Sequence, residues 1–309
     1  MNKKNSLNLT KRIGVLTLLF SIILPVASFA GSKDIYVDIE ASGKEDGSLK
    51  NPFDTIEEAL KEAKKTKRKV EIHVANGIYR ENIEVPNEVK LFGEDKKKTI
   101  IDAKDKEPAV RLKHKTEINK FTIKGGEYGV VISDGDRASV VECVIKENKK
   151  DGVKIRTASV DDKYMASVAD NEIYDNGRSG IYAEKRRVSF VDNFIYENDG
   201  DGIDISAGSQ AWVEGNKLKK NNKSGMKLTL DGSYIWTKNN TFYENEREGL
   251  EVNAYGGSGR IDINKSKFYK NEKYGIVKVK RGDFSNSILN GLTIQSDVIF
   301  WENKQGNIK

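Results

Sequence analysis

Between residues 129 and 280 apolar and polar positions alternate in short runs broken by polar corners. Ala166-Ser-Val168 reads in–out–in, Ile173 points in and Tyr174 out, and Ile181-Tyr-Ala183 reads in–out–in again. A period of two marks strands, not helices. The runs also keep a fixed phase. Asn, three residues, Gly and an apolar–x–apolar strand recur at Asn148…Gly152, Asn176…Gly180, Asn198…Gly202, Asn221…Gly225, Asn245…Gly249 and Asn271…Gly275. Gly129-Val-Val-Ile opens the series without its asparagine, and the glycines advance by 23, 28, 22, 23, 24 and 26 residues. A strand-rich repeat of this length predicts a solenoid with three strands per coil.

Aligned on the glycines, the inward positions form three columns. One runs Ile145, Ile173, Ile195, Leu218, Phe242, Phe268; the second Val153, Ile181, Ile203, Met226, Leu250, Ile276; the third Val140, Val168, Phe190, Val213, Thr237, Ile263. Three apolar columns around one axis predict a narrow core that continues from coil to coil. Two asparagine columns mark the corners: one four residues before each glycine, and one nine before it at Asn171, Asn193, Asn216 and Asn240. Asparagine tolerates the left-handed backbone region, and the sequence reading places the corner asparagines there. Stacked at about 4.8 Å, their amides can also bond along the column. These asparagines read as structural.

The ends of such a coil need cover. Thr55-Ile-Glu-Glu58 fits a capping box, and Ile56, Ala59, Leu60 and Ala63 share one helical face, which predicts a capping helix over 54–66. Val70–Val74, Ile83–Val85, Val89–Leu91, Thr99–Ile101 and Val110–Leu112 read as less regular early coils, and 283–309 as a closing segment. No second domain is apparent within 31–309.

Two features resemble a known family. One is the pattern Asn-x-Ile-x-x-Asn-x-x-x-Gly-Ile-x-Ile at Asn171–Ala183 and Asn193–Ile205. The other is the N-terminal run Ile35-Tyr-Val-Asp, Asn51-Pro-Phe-Asp-Thr-Ile and Gly77-Ile-Tyr-Arg-Glu81-Asn-Ile. On these the chain resembles the right-handed parallel β-helix proteins of the pectin-lyase-like superfamily. The resemblance spans residues 33–300 and implies an all-β parallel β-helix. It is nearly silent about chemistry, because that superfamily holds lyases, hydrolases, epimerases, esterases and adhesins.

The first thirty residues read as a separate segment. Lys3, Lys4, Lys11 and Arg12 precede the apolar stretch Ile13–Leu24, and Ser28-Phe29-Ala30 supplies small residues for cleavage. This predicts a signal peptide and a secreted or periplasmic protein with no membrane attachment after cleavage. The chain has 53 basic and 47 acidic residues. Four basic residues and no acidic one lie in the leader, so the remainder carries 49 against 47, a net charge of +2. Nucleic acid is therefore not the expected partner. The single cysteine, Cys143, rules out an intrachain disulfide. Two histidines argue against a histidine-based metal site, so no metal or other cofactor is expected.

Several catalytic signatures are missing. Asp199-Gly-Asp-Gly-Ile-Asp204 resembles the first acidic segment of polygalacturonases, but Ser224-Gly-Met-Lys stands where a second acid pair is needed. Their Gly-His-Gly and Arg-Ile-Lys motifs, the esterase Gly-Arg-Pro-Trp and the epimerase Asp-Pro-His are also lacking. A lyase needs a base and a cation to neutralise the uronate carboxylate. The sheet after the glycines, which bears the cleft in the lyases this chain resembles, offers Lys154, Arg156, Asp204, Lys227 and Glu251 as catalytic candidates, with Tyr182 and Glu184 beside them. Ca²⁺ held by carboxylates such as the Asp161–Asp162 pair has no support beyond residue type.

A different outward slot reads Ser139, Ser167, Ser189, Trp212, Trp236, Asp262, with Tyr234 two positions before Trp236. Paired indoles with a flanking tyrosine make a flat apolar platform suited to stacking sugars. The column Tyr174, Tyr196, Lys219, Tyr243, Tyr269 reads as a self-stabilising ladder. Three functions remain open on this reading: polysaccharide recognition without catalysis, a divergent polysaccharide lyase, and a structural surface protein or adhesin. The tryptophan pair favours the first, with polysaccharide as partner.

Overall fold

The computed structural model describes residues 31–309 except 67, 105–106, 134–136 and 158–164. The proposed leader, residues 1–30, and the Asp161–Asp162 pair lie outside the described residues. Three parallel sheets wind about one axis. The first has eleven strands, from Lys33–Val37 through Gln210–Glu214 and Tyr234–Lys238 to Leu292–Ile294, and is called the tryptophan sheet. The second has ten strands, from Ile83–Val85 through Ile181–Ala183 and Ile203–Ile205 to Gly306–Ile308, and is called the glycine sheet. The third has ten, from Gly77–Tyr79 through Glu172–Tyr174 to Ile299–Trp301, and is called the tyrosine sheet. Each strand pairs in parallel with its counterparts one coil away, as Ile181 with Ile203 and Ile203 with Met226.

The three inward columns are fully buried: Ile173, Ile195 and Phe242 in the tyrosine sheet, Ile181, Ile203 and Met226 in the glycine sheet, and Val168, Phe190 and Val213 in the tryptophan sheet. Buried rings continue the stacking, with the Phe242 and Phe268 centroids 4.5 Å apart. Strands of three to five residues suffice because each coil buries both its upper and lower edges against neighbours.

The asparagines sit at the corners but not in the left-handed conformation. The residue before each takes it: φ is 52° at Asp175, 52° at Glu197, 49° at Lys220 and 56° at Glu244. The reason is the side chain's job. Asn198 points inward and uses both amide hydrogens, on the Asn221 side-chain oxygen (3.0 Å) and the Ile173 carbonyl (3.2 Å). Its own oxygen accepts from the Asn176 side chain and backbone N–H. An inward amide ladder requires ordinary φ, so the preceding residue absorbs the turn, an acid or lysine at most corners, Gly215 before Asn216 and Asn239 before Asn240.

The glycines serve close approach rather than a turn. A Cβ on Gly180 would stand 2.5 Å from the Ile195 Cγ2 and 2.8 Å from the Gly202 carbonyl oxygen. The same contact repeats at Gly202 against Gly225, which explains why the phase never slips.

Helix α1 (Ile56–Lys65) covers the first coils, with Ile56, Ala59, Leu60 and Ala63 buried. The Glu58 N–H donates to the Thr55 hydroxyl at 3.3 Å, the first bond of the expected capping box, and that hydroxyl itself donates to the Glu58 carboxylate at 3.0 Å. Glu81 adds a second cap that the sequence did not suggest, its carboxylate accepting from the Ile56 and Glu57 backbone N–H groups at 3.0 and 2.8 Å. At the other end residues 286–308 add a further coil, whose three strands pair with Arg260–Asn264, Lys267–Tyr269 and Tyr274–Lys280.

Candidate functional site

The outer face of the glycine sheet carries a cleft of about 400 Å³. Its floor is the outward column Lys154, Tyr182, Asp204, Lys227, and its rim is the corner before each glycine: Asp151, Ser179 and Asp201, with Arg178 and Lys223 alongside. The floor follows from the strand pattern, since inward Ile181, Ile203 and Met226 force Tyr182, Asp204 and Lys227 outward.

The rim is a second ladder. The Ser179 N–H donates to the Asp151 carboxylate at 3.1 Å, and the Ser224 N–H to Asp201 at 2.9 Å. The Ser224 hydroxyl donates onward to Glu248 at 3.2 Å. Acid and serine alternate because a carboxylate at one coil accepts from the backbone of the next. Sequence reasoning assigns no facing to Asp151 and Glu248, since a corner has no strand period, and it marks Asp201 only as part of the Asp199–Asp204 segment, set aside for want of a second acid pair. The signal was present, however, as the column Asp151, Ser179, Asp201, Ser224, Glu248 one residue before each glycine.

Burial sets the protonation chemistry. It pushes Asp201 up to about 6, and the nearby Asp204 charge adds to the effect. Asp151 and Asp204 are also raised, chiefly by burial. Lys227 pairs with Asp204 at 3.2 Å. Burial works against its charge, but the attraction of Asp204 prevails and its pKa is raised. Lys227 is therefore a fixed cation, poorly suited to act as a base. Lys154 lies between two rings, 4.8 Å from the Tyr128 centroid and 5.3 Å from that of Tyr182. The cleft thus sets a carboxyl group whose pKa is raised to about 6 beside the side chains of Lys154, Arg178, Lys223 and Lys227.

Three of the five expected catalytic positions, Lys154, Asp204 and Lys227, meet in this cleft. Arg156 follows the strand Val153–Ile155 and is exposed outside the cleft lining, while its backbone carbonyl accepts from the buried Arg186 at 3.4 Å. Glu251 faces outward but is buried, held by Asn253 (2.8 Å), Arg281 (3.2 Å) and Arg247 (3.4 Å). Its oxygens are committed to that network and do not line the cleft.

The tryptophan sheet presents the other expected feature. Trp212 pairs in register with Trp236, and Gln210 with Tyr234. Trp212, Trp236 and Tyr234 are 44%, 43% and 51% exposed, so no loop among the described residues covers them. The Trp212 indole N–H donates to Glu214 at 3.0 Å, which leaves the ring face free of that bond. The tyrosine column stacks on itself, Tyr174 on Tyr196 at 4.8 Å and Tyr243 on Tyr269 at 5.0 Å, and Trp301 extends it at 4.1 Å from Tyr269.

Comparison with known proteins bears on the fold. A family model described as the right handed beta helix region matches residues 128–291, and one described as pectinesterase matches 41–130. No curated protein matches the chain. Among solved structures, an alginate lyase from Paenibacillus sp. is 11% identical with a TM-score of 0.61, over 89% of this chain and 97% of that one. The structure of XylC with xylose is 11% identical with a TM-score of 0.61, over 81% and 67%. A tailspike protein 2 domain of Bacteriophage CBA120 is 12% identical with a TM-score of 0.59, over 89% of this chain but only 47% of that one. Identities this low speak for the shared fold.

Proposed function

The chain belongs to the right handed beta helix family, and from that premise we propose that it is an exported protein that binds an acidic extracellular or cell-envelope polysaccharide. The observation that carries this reading is the cleft on the glycine sheet. Lys154, Lys227, Lys223 and Arg178 converge there around a groove that runs along the coils. A sugar carboxylate suits the lysine and arginine heads, and hydroxyls suit Asp151, Asp201 and Tyr182. Trp212, Trp236 and Tyr234 supply a stacking surface on a different sheet, for a second stretch of the same kind of polymer. The alginate lyase and the xylose-bound XylC among the structural neighbours support a carbohydrate partner. Residues 1–30 supply the export signal, and among the described residues no helix is long and apolar enough to cross a membrane.

The test is titration with a set of acidic and neutral polysaccharides, using the native chain and Lys154→Ala/Lys223→Ala. Binding of a polyuronate that weakens at least about tenfold in the double variant supports the reading. Equal binding by both, or preference for neutral glucans, sinks it.

One observation favours a second reading. Burial pushes the Asp201 carboxyl up to about 6, the range of an effective general base, and Lys227, its pKa raised by Asp204, stands in the same cleft. In a uronate lyase Asp201 would take the proton α to the carboxylate while Lys227 neutralises that carboxylate. The C–H electron pair then forms the C4–C5 double bond as the C4–O glycosidic bond breaks, and the leaving oxygen takes a proton from solvent, which leaves an unsaturated sugar. Release of ultraviolet-absorbing unsaturated uronate, lost in Asp201→Asn, would establish it; binding without product keeps the first reading.

A further inference from the structure

A second cluster lies far along the chain from this cleft, on the outer face of the first two strands of the tryptophan sheet. Lys33–Val37 pairs with Val70–Val74 so that Asp34 stands opposite Glu71 and Tyr36 opposite His73. Asp34, Glu71 and His73 each bring one ligand atom within 4.8 Å of the others. We propose that these three side chains form a binding site for a divalent transition-metal ion of the zinc class.

Three independent features support it. Glu71 is only 3% exposed, and its Oε1 is buried without a hydrogen-bond partner. Buried carboxylate oxygens are rarely left so, because the lost hydration is costly. A bound cation would complete it. The His73 Nε2 and the Asp34 Oδ1 lie 3.4 Å apart. That is long for a charge-assisted hydrogen bond. It matches the edge of a tetrahedron whose ligands stand about 2.0–2.1 Å from the metal, an edge of about 3.3 Å. The His73 ring is also clamped in place. It stacks between Tyr36 and Phe92, with centroids 5.1 and 5.8 Å away, which fixes where its nitrogens point.

Charge and donor type set the class of ion. Two carboxylates and a neutral imidazole give a site of formal charge −2 toward a dication. Mixed nitrogen and oxygen donors suit zinc and its neighbours; magnesium and calcium prefer oxygen alone. Lys90, opposite Glu71 on the next strand, pairs with Glu117 at 3.2 Å. A second acidic group among the described residues, Glu45, Asp54 and Glu58, has no such character. There Glu45 accepts from the Asp54 N–H and Glu58 from the Thr55 hydroxyl, so both are engaged in holding the turn and cap before α1.

The site would clip the edge strand Lys33–Val37 to its neighbour, so binding should register as stability. The experiment uses the full chain without a polyhistidine tag, stripped by chelator, then equilibrated with micromolar zinc chloride and assayed for bound metal and Tm. The chain has two histidines, and His114 serves as the internal control. The native protein and His114→Gln should each retain about one zinc and melt higher with it. His73→Gln and the surface variant Asp34→Asn should lose at least about tenfold in affinity, with little change in their metal-free Tm. Zinc retention by His73→Gln equal to that of His114→Gln, or no zinc on the native chain, would overturn the assignment.

Discussion

Asn198 donates its side-chain N–H to the Asn221 carbonyl oxygen at 3.0 Å, and Asn221 repeats the bond to Asn245 at 3.1 Å. Both residues are fully buried. Each amide therefore completes the one below it, and the ladder is as much a structural element as the strands it borders. Asn198→Ala removes a link and strands the amide of Asn176 and the carbonyl of Ile173. The expected loss is about 1–3 kcal/mol, read as a lower denaturant midpoint. Glycan binding by the folded fraction should not change.

The glycine column makes a sharper claim. A Cβ on Gly202 would lie 2.5 Å from the Gly225 carbonyl oxygen, 2.9 Å from the Asn221 amide nitrogen and 3.0 Å from Leu218. None of these can retreat without shifting a coil. Gly202→Ala should therefore cost on the order of 1–3 kcal/mol. Gly208→Ala offers a contrast, because its nearest neighbour is a flexible Lys185 carbon at 3.3 Å; its cost comes from a φ of 73° alone. Equal Tm losses in the two variants, with Gly202→Ala well below the predicted range, would contradict the packing argument.

Asp201 gives a pH signature. Its pKa is raised to about 6 from an ordinary 3.8, so the folded chain binds the proton more tightly than the unfolded one. Its contribution to stability is fully present below pH 3.8 and is lost as pH rises through about 6. Asp201→Asn keeps the oxygen that accepts from Ser224 and removes the charge. The variant should therefore gain little at pH 3.5 and about 3 kcal/mol relative to the parent at pH 7. Unfolding curves at the two pH values measure the difference. A gain independent of pH would mean that Asp201 does not titrate in this window.

How much of this was legible depends on whether a residue's facing follows from the strand period. Ile203, Met226 and Phe242 were placed by that period and the glycine phase alone, and so was the pairing of Trp212 with Trp236; the N-cap at Thr55 was legible from its local motif instead. Asp151 and Asp201 were not, because a corner residue belongs to neither face; only the alternation with Ser179 and Ser224 betrays them. Glu251 occupies an outward slot yet is buried, because Arg247 and Arg281 close over it from adjacent turns. The left-handed corner residues were misplaced by one position, since the local preference of asparagine was outweighed by the buried ladder its side chain completes. The Asp34–Glu71–His73 cluster spans 39 residues in an irregular region with no repeat phase to align it.

Trp212 and Trp236 carry the last prediction. They stand opposite each other on neighbouring strands, so their Cα atoms are about 4.8 Å apart. Each indole is more than two-fifths exposed, and Tyr234 beside them is 51% exposed. This arrangement differs from the tyrosine column one corner away, where Tyr243 and Tyr269 stack closely and lie half-buried. The tyrosines bury surface against each other; the indoles leave theirs to water, which a folded chain seldom does over adjacent large residues without use. Stacking one sugar on an indole is worth on the order of 1 kcal/mol, so the platform needs a polymer long enough to meet both rings. Trp212→Ala/Trp236→Ala should fold with a Tm close to the parent, because the core beneath is Ala211, Val213, Ile235 and Thr237 and is untouched. Its affinity for a long polysaccharide should fall about tenfold or more, while binding of a monosaccharide stays too weak to separate the two proteins. A double variant that folds normally and binds every tested polysaccharide as the parent does would remove these tryptophans from the binding surface and leave the glycine-sheet cleft to act alone.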